Sequence, residues 1–297
     1  MPERRAAVVV IKHRLRHPGE EGKGMNVAVH LLPGRRCLHR REGRPPPSPH
    51  DTALVCTVVS IVTRSSWCWL TALVLTATTR LTSEILRRTK TANIVGIDIS
   101  EAYVEYPASE ISDTRVSFKA ADLNALPMPD ATFDHVVSQL VLIFVPNTSV
   151  AFSEFSRILK PGGRLAVAIW DARGGLVFNR FFLDTAAMLD PEANELRKKN
   201  FTRPLTRPGH LEEALRSAGF SELRTSETHI RTEFASFDDY WSPFDGTDGP
   251  IPSYLSKRTA ELKAQIKDAV RDAYLDGEAD GPRSYVATAW VATGRRQ

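Results

Sequence analysis

The sequence has few cysteines and no cysteine pattern typical of a metal site. Its 297 residues include only Cys37, Cys56 and Cys68, which form no C-x-x-C pair and have no histidine at zinc-binding spacing. We therefore expect no structural metal. A reducing, cytoplasmic compartment is the default expectation for so few cysteines.

The body of the chain also lacks an excess of positive charge. Residues 1–50 hold 11 Lys and Arg against 4 Asp and Glu, which leaves 28 against 31 for residues 51–297. A nucleic-acid-binding domain is expected to carry a basic stripe on its folded body. The slightly acidic balance therefore speaks against nucleic acid as a partner.

A long apolar run free of charge is missing as well. Residues 53–77 are largely apolar and follow a basic segment, which raises a signal anchor or transmembrane helix as one interpretation, but Arg64, Ser65 and Ser66 lie near the middle. A charge at the bilayer centre costs about 2.5–3.5 kcal/mol on insertion scales. Two short buried strands, or a poorly ordered stretch, is the favoured interpretation.

These compositions predict three segments. Residues 1–50 end in a proline-rich stretch and are expected to form a disordered basic leader, and residues 51–80 form an atypical apolar segment. Residues 81–297 are expected to form one α/β domain, with a core at 81–172 and a substrate-covering and C-terminal part at 173–297.

From Leu81 onward, short β-rich runs alternate with amphipathic runs, which is typical of a doubly wound α/β sheet. The pattern predicts helices at 81–88, 101–110, 147–159, 210–217 and 257–274. It predicts strands at 93–98, 115–119, 133–138, 164–170, 221–234 and 284–293. Pro107 is expected to kink or end the second helix, and Gly219 to follow the fourth as a C′ residue.

Two acidic residues follow predicted parallel strands. Asp98 ends the run Ile94-Val95-Gly96-Ile97-Asp98, where a carboxylate can accept both hydroxyls of a nucleoside ribose or cap the next helix. Asp122 begins a proline-stiffened loop that extends to Asp134. It can present a carboxylate to an exocyclic amine, or it can shape a turn, as Asp130 can.

Four blocks in this order resemble class I S-adenosylmethionine-dependent methyltransferases, in the broad group that acts on small molecules. The blocks are GIDIS (96–100), ADLNALPMPDATFD (121–134), VVSQLVLIFVPN (136–147) and FSRILKPGGRLAVAIWD (155–171). Three later segments, at 210–220, 234–244 and 284–296, resemble the C-terminal half of one branch of the group. The resemblance implies a Rossmann-like, mostly parallel sheet whose last strand is antiparallel, and methyl transfer from S-adenosylmethionine to a small-molecule acceptor.

The resemblance also implies roles for particular residues. Asp98 would bind the ribose hydroxyls, and Ile99 would lie against the adenine face. Asp122 would accept from the adenine amino group, while the backbone of Leu123 meets a ring nitrogen. Ser138 and Gln139 would border the methionine end and the transferable methyl group.

One family feature is missing. The family begins with a strand and a turn close to D-x-G-x-G-x-G, whose N–H groups approach the cofactor carboxylate. No glycine lies between Gly43 and Gly96, and the residues before Leu81 read Leu-Thr-Ala-Thr-Thr-Arg. β-branched threonine resists the positive φ of such a turn. Either the domain has lost this site, or residues 1–80 are not the natural start of the protein; the abrupt onset of the match at Leu81 favours the second interpretation.

For the other polar and aromatic residues, a structural role is the favoured interpretation. His135, inside a strand, is expected to be a core or edge residue rather than a base. His210, near a helix start, and His229, within a strand, are expected to be structural or solvent-facing. Asp171 is a candidate acceptor contact or a turn residue. Some of an aromatic set are expected to line an acceptor pocket, although such clusters are more often core: Phe178, Phe181, Phe182, Tyr240, Trp241 and Phe244.

Two rival functions remain. A non-catalytic relative that keeps the fold as a binding or scaffold protein would explain the missing glycine turn. A nicotinamide-dependent dehydrogenase would need its own glycine fingerprint and, in the short-chain type, a Tyr-x-x-x-Lys pair; Tyr254 has only Arg258 at that spacing. The dehydrogenase therefore ranks last.

Overall fold

The alternating runs fold into a seven-stranded sheet with helices between its strands. The computed structural model describes residues 71–75, 79–90, 92–246 and 249–297. The predicted leader at 1–50 and most of the apolar segment lie outside the described residues. Of that segment, Thr71–Leu75 forms a strand.

The strands are β1 (Thr71–Leu75), β2 (Asn93–Asp98), β3 (Val116–Ala120), β4 (Phe133–Gln139), β5 (Leu159–Trp170), β6 (Phe220–Phe234) and β7 (Arg283–Arg296). The helices are α1 (Thr79–Arg88), α2 (Glu101–Glu110), α3 (Thr148–Ile158), α4 (Val177–Leu189), α5 (Pro191–Phe201), α6 (His210–Ser217), α7 (Phe237–Trp241), α8 (Pro250–Leu255) and α9 (Ala260–Leu275). Short 3₁₀ turns lie at Leu142–Phe144 and Ser242–Asp245.

The strand order is β3-β2-β1-β4-β5-β7-β6. Strands β1 to β5 pair in parallel, whereas β7 runs antiparallel to β5. The predicted mostly parallel sheet with an antiparallel last strand is confirmed. Since β2 and β3 lie on one side of β1, and β4 and β5 on the other, the order reverses beside β1. Ligands of open α/β sheets bind at such a reversal, outside the carboxyl ends of the strands.

Alternate residues of the central strands face opposite sides of this sheet. Val136 packs into a cluster with Phe152 and Phe155 of α3, while its neighbour Val137 packs into a second cluster with Leu81 of α1. Helix α3 begins after Asn147, whose side chain accepts a hydrogen bond from the Val150 N–H, as an N-cap does. Both faces of the sheet are therefore covered, which is the doubly wound arrangement that the alternating pattern predicts.

The chain divides into two compact units. The described residues of the first are 71–171, with the gaps given above, together with 203–228 and 289–297; they hold both clusters just described. The second comprises 172–202 and 229–288. Its core is aromatic and contains the six aromatic residues singled out from the sequence: Phe182, Tyr240, Trp241 and Phe244 are buried, and Phe178 and Phe181 pack against them.

Some boundaries differ from the prediction. Strand β5 begins at Leu159 rather than 164, because Leu159 pairs with Phe133 before the Lys160–Gly163 stretch interrupts the ladder. Pro107 lies inside α2 without ending it. Helices α4 and α5 were not predicted, although Asp190-Pro191 is a cap-and-first-turn signal: the Asp190 carboxylate accepts from the Glu192 N–H.

Candidate functional site

The register of β1 defines the carboxyl edge of the sheet at the point of reversal. Leu75, the last residue of β1, pairs with Ile97 of β2 and with Ser138 of β4. Asp98 and Gln139 are the next residues of those two neighbours. The structure therefore brings Asp98, Ser138 and Gln139 to one edge, on both sides of the point where β1 ends.

Asp98 is half-buried at this edge, and burial raises the pKa of its carboxyl group. Its Oδ1 accepts a hydrogen bond of 3.0 Å from the Ser100 N–H, just before α2, so the carboxylate also shapes the start of that helix. Next to it, the side chain of Ile99 is 76% exposed. An exposed apolar side chain beside a partly desolvated carboxylate fits a ligand with a polar ribose and a flat apolar base.

Asp122 lies at the same edge, one strand further out. Asp98 pairs with Ala120, and the Asp98 carbonyl accepts a hydrogen bond of 2.9 Å from the Ala121 N–H, so the chain turns away from β3 directly beside Asp98. The Asp122 carboxylate accepts from the Asn124 N–H at 2.9 Å, which is the turn role considered from the sequence. Among the described residues, none accepts a hydrogen bond from the N–H of Leu123, whose side chain is buried.

On the β4 side the site residues are enclosed. Ser138 is fully buried, and no described residue forms a hydrogen bond with its hydroxyl group; Gln139 is 7% exposed. Leu140, the next residue, has φ of +62°, an unusual conformation for leucine that is found where backbone strain is retained at ligand sites. A buried hydroxyl group at the edge fits a polar group of a ligand, since buried polar atoms in proteins are normally hydrogen-bonded.

The connection after β1, where the resemblance places the methionine end of the cofactor, differs from the family pattern. Strand β1 ends at Leu75 and α1 begins at Thr79, so three residues, Thr-Ala-Thr, connect them. These three lie outside the described residues. Neither the length nor the composition of this connection matches the glycine turn that the resemblance implies. The described residues thus fit the nucleoside half of S-adenosylmethionine, and the connection lacks the glycines that would hold its carboxylate.

The remaining polar candidates are not assembled into a reactive group. His135 is buried within β4, and burial lowers its pKa to about 4, so it is a neutral core residue at pH 7. His229 lies in the other unit, where its Nδ1 is 3.0 Å from the Thr288 hydroxyl group. Among the described residues no three His, Cys, Asp or Glu side chains form a metal site. No helix in that part of the chain is long and apolar enough to cross a membrane.

Residues 75–167, from the end of β1 to the middle of β5, match the family described as a methyltransferase domain. Over these residues, about a third of the chain, the sequence is similar to methyltransferase domains. This match includes Asp98, Asp122 and Ser138 of the site edge. It confirms the resemblance found from the four sequence blocks.

Curated proteins that are similar to part of this chain bear the names of methyltransferases. A ubiquinone/menaquinone biosynthesis C-methyltransferase from Geobacter sulfurreducens is 32% identical over 114 residues, which cover 37% of this chain and 44% of the relative. Other matches bear the names of C- and O-methyltransferases. The chain spans about half or less of the length of the curated relatives it matches.

Solved structures share the fold. A proposed methyltransferase from Bacillus halodurans matches 82% of this chain and 99% of its own with a TM-score of 0.54 at 16% identity. A (4+2)-cyclase, SpnF, matches 86% of this chain and 84% of its own with a TM-score of 0.53 at 20% identity. At these identities the likeness shows the fold alone, which is the predicted Rossmann-like α/β fold.

Proposed function

We propose that this chain binds S-adenosylmethionine at the carboxyl edge beside β1 and transfers its methyl group to a small-molecule acceptor. The observation that carries the proposal is the placement of Asp98 and Asp122 after two paired strands, at the reversal of strand order and within the family match. The names of the relatives, which include a quinone C-methyltransferase, support both the cofactor and the acceptor class.

Each site residue has a role that its environment supports. The half-buried Asp98 carboxylate binds the two ribose hydroxyls, and the exposed Ile99 side chain covers one face of the adenine. Asp122 accepts from the adenine amino group and the Leu123 N–H donates to a ring nitrogen. Ser138 and Gln139 border the methionine end, where the enclosed setting excludes water.

S-adenosylmethionine, when bound, would supply a methyl group on a positively charged sulfur: the acceptor atom would bond to the methyl carbon in line with the breaking carbon–sulfur bond, whose electron pair stays on sulfur. This chemistry depends on alignment and a dry site more than on a strong acid. A base is needed only for a weakly acidic acceptor group. None of the described residues at the edge is assigned as that base. Asp171, directly after β5, stays a candidate contact with the methyl acceptor. As the cellular compartment of the protein we propose the cytoplasm.

A second candidate is a protein that binds a nucleoside-containing ligand at this edge without transferring a methyl group. The three-residue Thr-Ala-Thr connection favours it, because the glycine turn would supply N–H groups to the methionine carboxylate. Each charge-assisted hydrogen bond contributes about 1.5–3 kcal/mol, so losing two weakens binding by roughly two to four decades. The structural likeness to a cyclase supports a use of this fold other than methyl transfer.

Calorimetric titration with S-adenosylmethionine and S-adenosylhomocysteine tests these alternatives. The unaltered chain should bind weakly, and replacement of residues 76–78 by a turn of the form D-x-G-x-G-x-G should bring binding into the micromolar range. Asp98→Ala in that variant should abolish binding, while Asp268→Ala, an exposed α9 carboxylate, should leave it unchanged.

The outcomes separate the two candidates. Binding together with transfer of a labelled methyl group to a quinol or phenol supports the enzyme. Binding without transfer to any acceptor of a broad small-molecule panel favours the non-catalytic protein. If neither the unaltered chain nor the glycine-turn variant binds either ligand, the cofactor site is wrongly assigned.

A further inference from the structure

The loop that carries Asp122 and Leu123 is fastened at its far end by two side chains of α3. Arg157 donates from Nη1 to the Met128 carbonyl at 2.7 Å and from Nη2 to the Leu126 carbonyl at 3.0 Å. Glu154 accepts from the Leu126 N–H at 2.9 Å through Oε2. Three backbone groups of the loop are therefore held by two side chains nearly thirty residues later in the chain.

The two side chains also hold each other. Arg157 donates from Nε to Oε1 of Glu154 and from Nη2 to its Oε2, both at 2.8 Å, so the pair is bidentate. Nη1 further donates to the Asp130 carboxylate at 2.7 Å. Arg157 is 31% exposed and Glu154 18% exposed, so solvent screens the pair only in part. The hydrogen bonds from Arg157 hold the pKa of Glu154 below its ordinary value, so both stay charged near neutral pH.

At its other end the loop is fixed next to Asp98. The Ala121 N–H donates to the Asp98 carbonyl, and the side chains of Leu123, Leu126 and Met128 are buried in the core cluster that faces α3. The four residues between the Asp98 anchor and the Leu126 anchor include both groups assigned to the adenine edge. Their positions are therefore set from both sides.

We propose that Arg157 and Glu154 are positioning residues that hold residues 121–130 in the shape in which Asp122 and Leu123 read the adenine edge. This inference rests on the proposed function, since it assigns an adenine to that edge. The Asp122 carboxylate and the Leu123 N–H must meet the exocyclic amino group and the neighbouring ring nitrogen of adenine at the same time. Ordering a free loop for this costs about 1–2 kcal/mol per residue. Because the hydrogen bonds from Arg157 and Glu154 order the loop before a ligand arrives, binding does not bear this entropic cost.

The test uses adenosine and inosine, which need no glycine turn. Inosine has an oxygen in place of the amino group and a protonated ring nitrogen in place of the acceptor nitrogen. It therefore cannot donate to the Asp122 carboxylate or accept from the Leu123 N–H. The unaltered chain should prefer adenosine in titrations followed by NMR. Arg157→Met should weaken the binding of adenosine about tenfold, which is the equivalent of one hydrogen bond. The affinity for inosine should stay unchanged, so the preference for adenosine disappears.

Two further variants keep the test valid if Arg157→Met folds poorly. Arg157→Lys retains the positive charge but lacks the several N–H donors of the guanidinium group, so it should lose most of the preference for adenosine. Glu154→Gln retains an acceptor for the Leu126 N–H and should lose less of that preference. Arg216→Met, which removes an exposed ion pair with Glu212 on α6, is the matched control and should keep the preference. Amide hydrogen exchange should become faster in residues 121–128 of the Arg157 variants only.

Each outcome decides a different point. An unchanged preference in both Arg157 variants overturns the inference while the proposed function stands. Equal weakening of adenosine and inosine, with faster exchange, also overturns it, because the pair is then only a support of the fold. If the unaltered chain binds neither nucleoside, the nucleoside site itself is wrong and the proposed function is lost together with the inference.

Discussion

Single residues at the sheet edge have a structural role that their hydrogen bonds show and a binding role that we propose. The Asp98 carboxylate fixes the start of α2, and Asp122 closes a turn with Asn124, yet both stand where a nucleoside would be bound. The sequence predicted their location because an acidic residue ending an apolar run marks the carboxyl end of a strand. Arg157, which we propose as a positioning residue, was not singled out from the sequence, because its contacts to carbonyl groups of a distant loop follow only from the fold.

His135 allows a test of pH dependence at a single residue. Burial lowers its pKa to about 4 from the ordinary value of 6.5, so between these pH values the unfolded chain binds a proton that the folded chain does not. The free energy of unfolding therefore keeps the whole contribution of this histidine above pH 6.5. As the pH falls towards 4, that contribution is lost, which lowers the free energy of unfolding by about 3 kcal/mol.

The measurement is urea unfolding of the unaltered chain and of His135→Gln at several pH values. The two free energies of unfolding should keep a constant difference above pH 6.5. Below it, the unaltered chain should lose stability more steeply. Parallel curves down to pH 4 would show that burial does not shift this histidine.

At the scale of elements, sequence patterns predicted strands and helices where local signals were strong. Strand β2 and helix α6 have the predicted bounds, since an apolar run and a helix followed by Gly219 are local features. The start of β5 could not be predicted, because it depends on pairing between Leu159 and Phe133 across the sheet. The domain boundaries proposed from the sequence stay a prediction.

The pairing of β2 with β3 gives an element-scale prediction at Gly96. A Cβ atom at this position would lie 2.6 Å from Cε1 of Phe118, the residue directly paired with it, and would contact Cδ1 as well. Gly96→Ala should therefore destabilise the chain by about 1–3 kcal/mol, the usual cost of overpacking.

A double-mutant cycle identifies the cause of this loss. In a chain that already carries Phe118→Ala, Gly96→Ala should cost far less, because the ring is gone. Gly281→Ala, where a Cβ meets nothing within 4 Å, should be nearly neutral in both backgrounds. Equal costs of Gly96→Ala with and without the ring would place the strain elsewhere.

On the scale of the whole molecule, the unit that carries the site is assembled from separate stretches of chain. Residues 289–297 belong to it, and in them Val291 and Ala292 enter the clusters on the two faces of the sheet. They also pair with residues 164–170 of β5.

Removal of residues 289–297 should therefore weaken this unit more than the loss of a terminal segment usually does. We expect faster amide exchange throughout β5 and a lower melting temperature than for the matched change Val286→Ala, which alters an exposed position of the same strand. Unchanged exchange in β5 would mean that β7 does not stabilise the sheet.

The pairing of Arg164 with Arg295 has a further consequence during synthesis. A ribosome adds about 5–20 residues per second, so β5 waits on the order of 10 s for the strand that will cover it. During that time its unpaired edge is open to strands of neighbouring nascent chains. The yield of folded protein should therefore depend on translation speed and on chaperones that shield β5, even where the stability of the finished chain is unchanged.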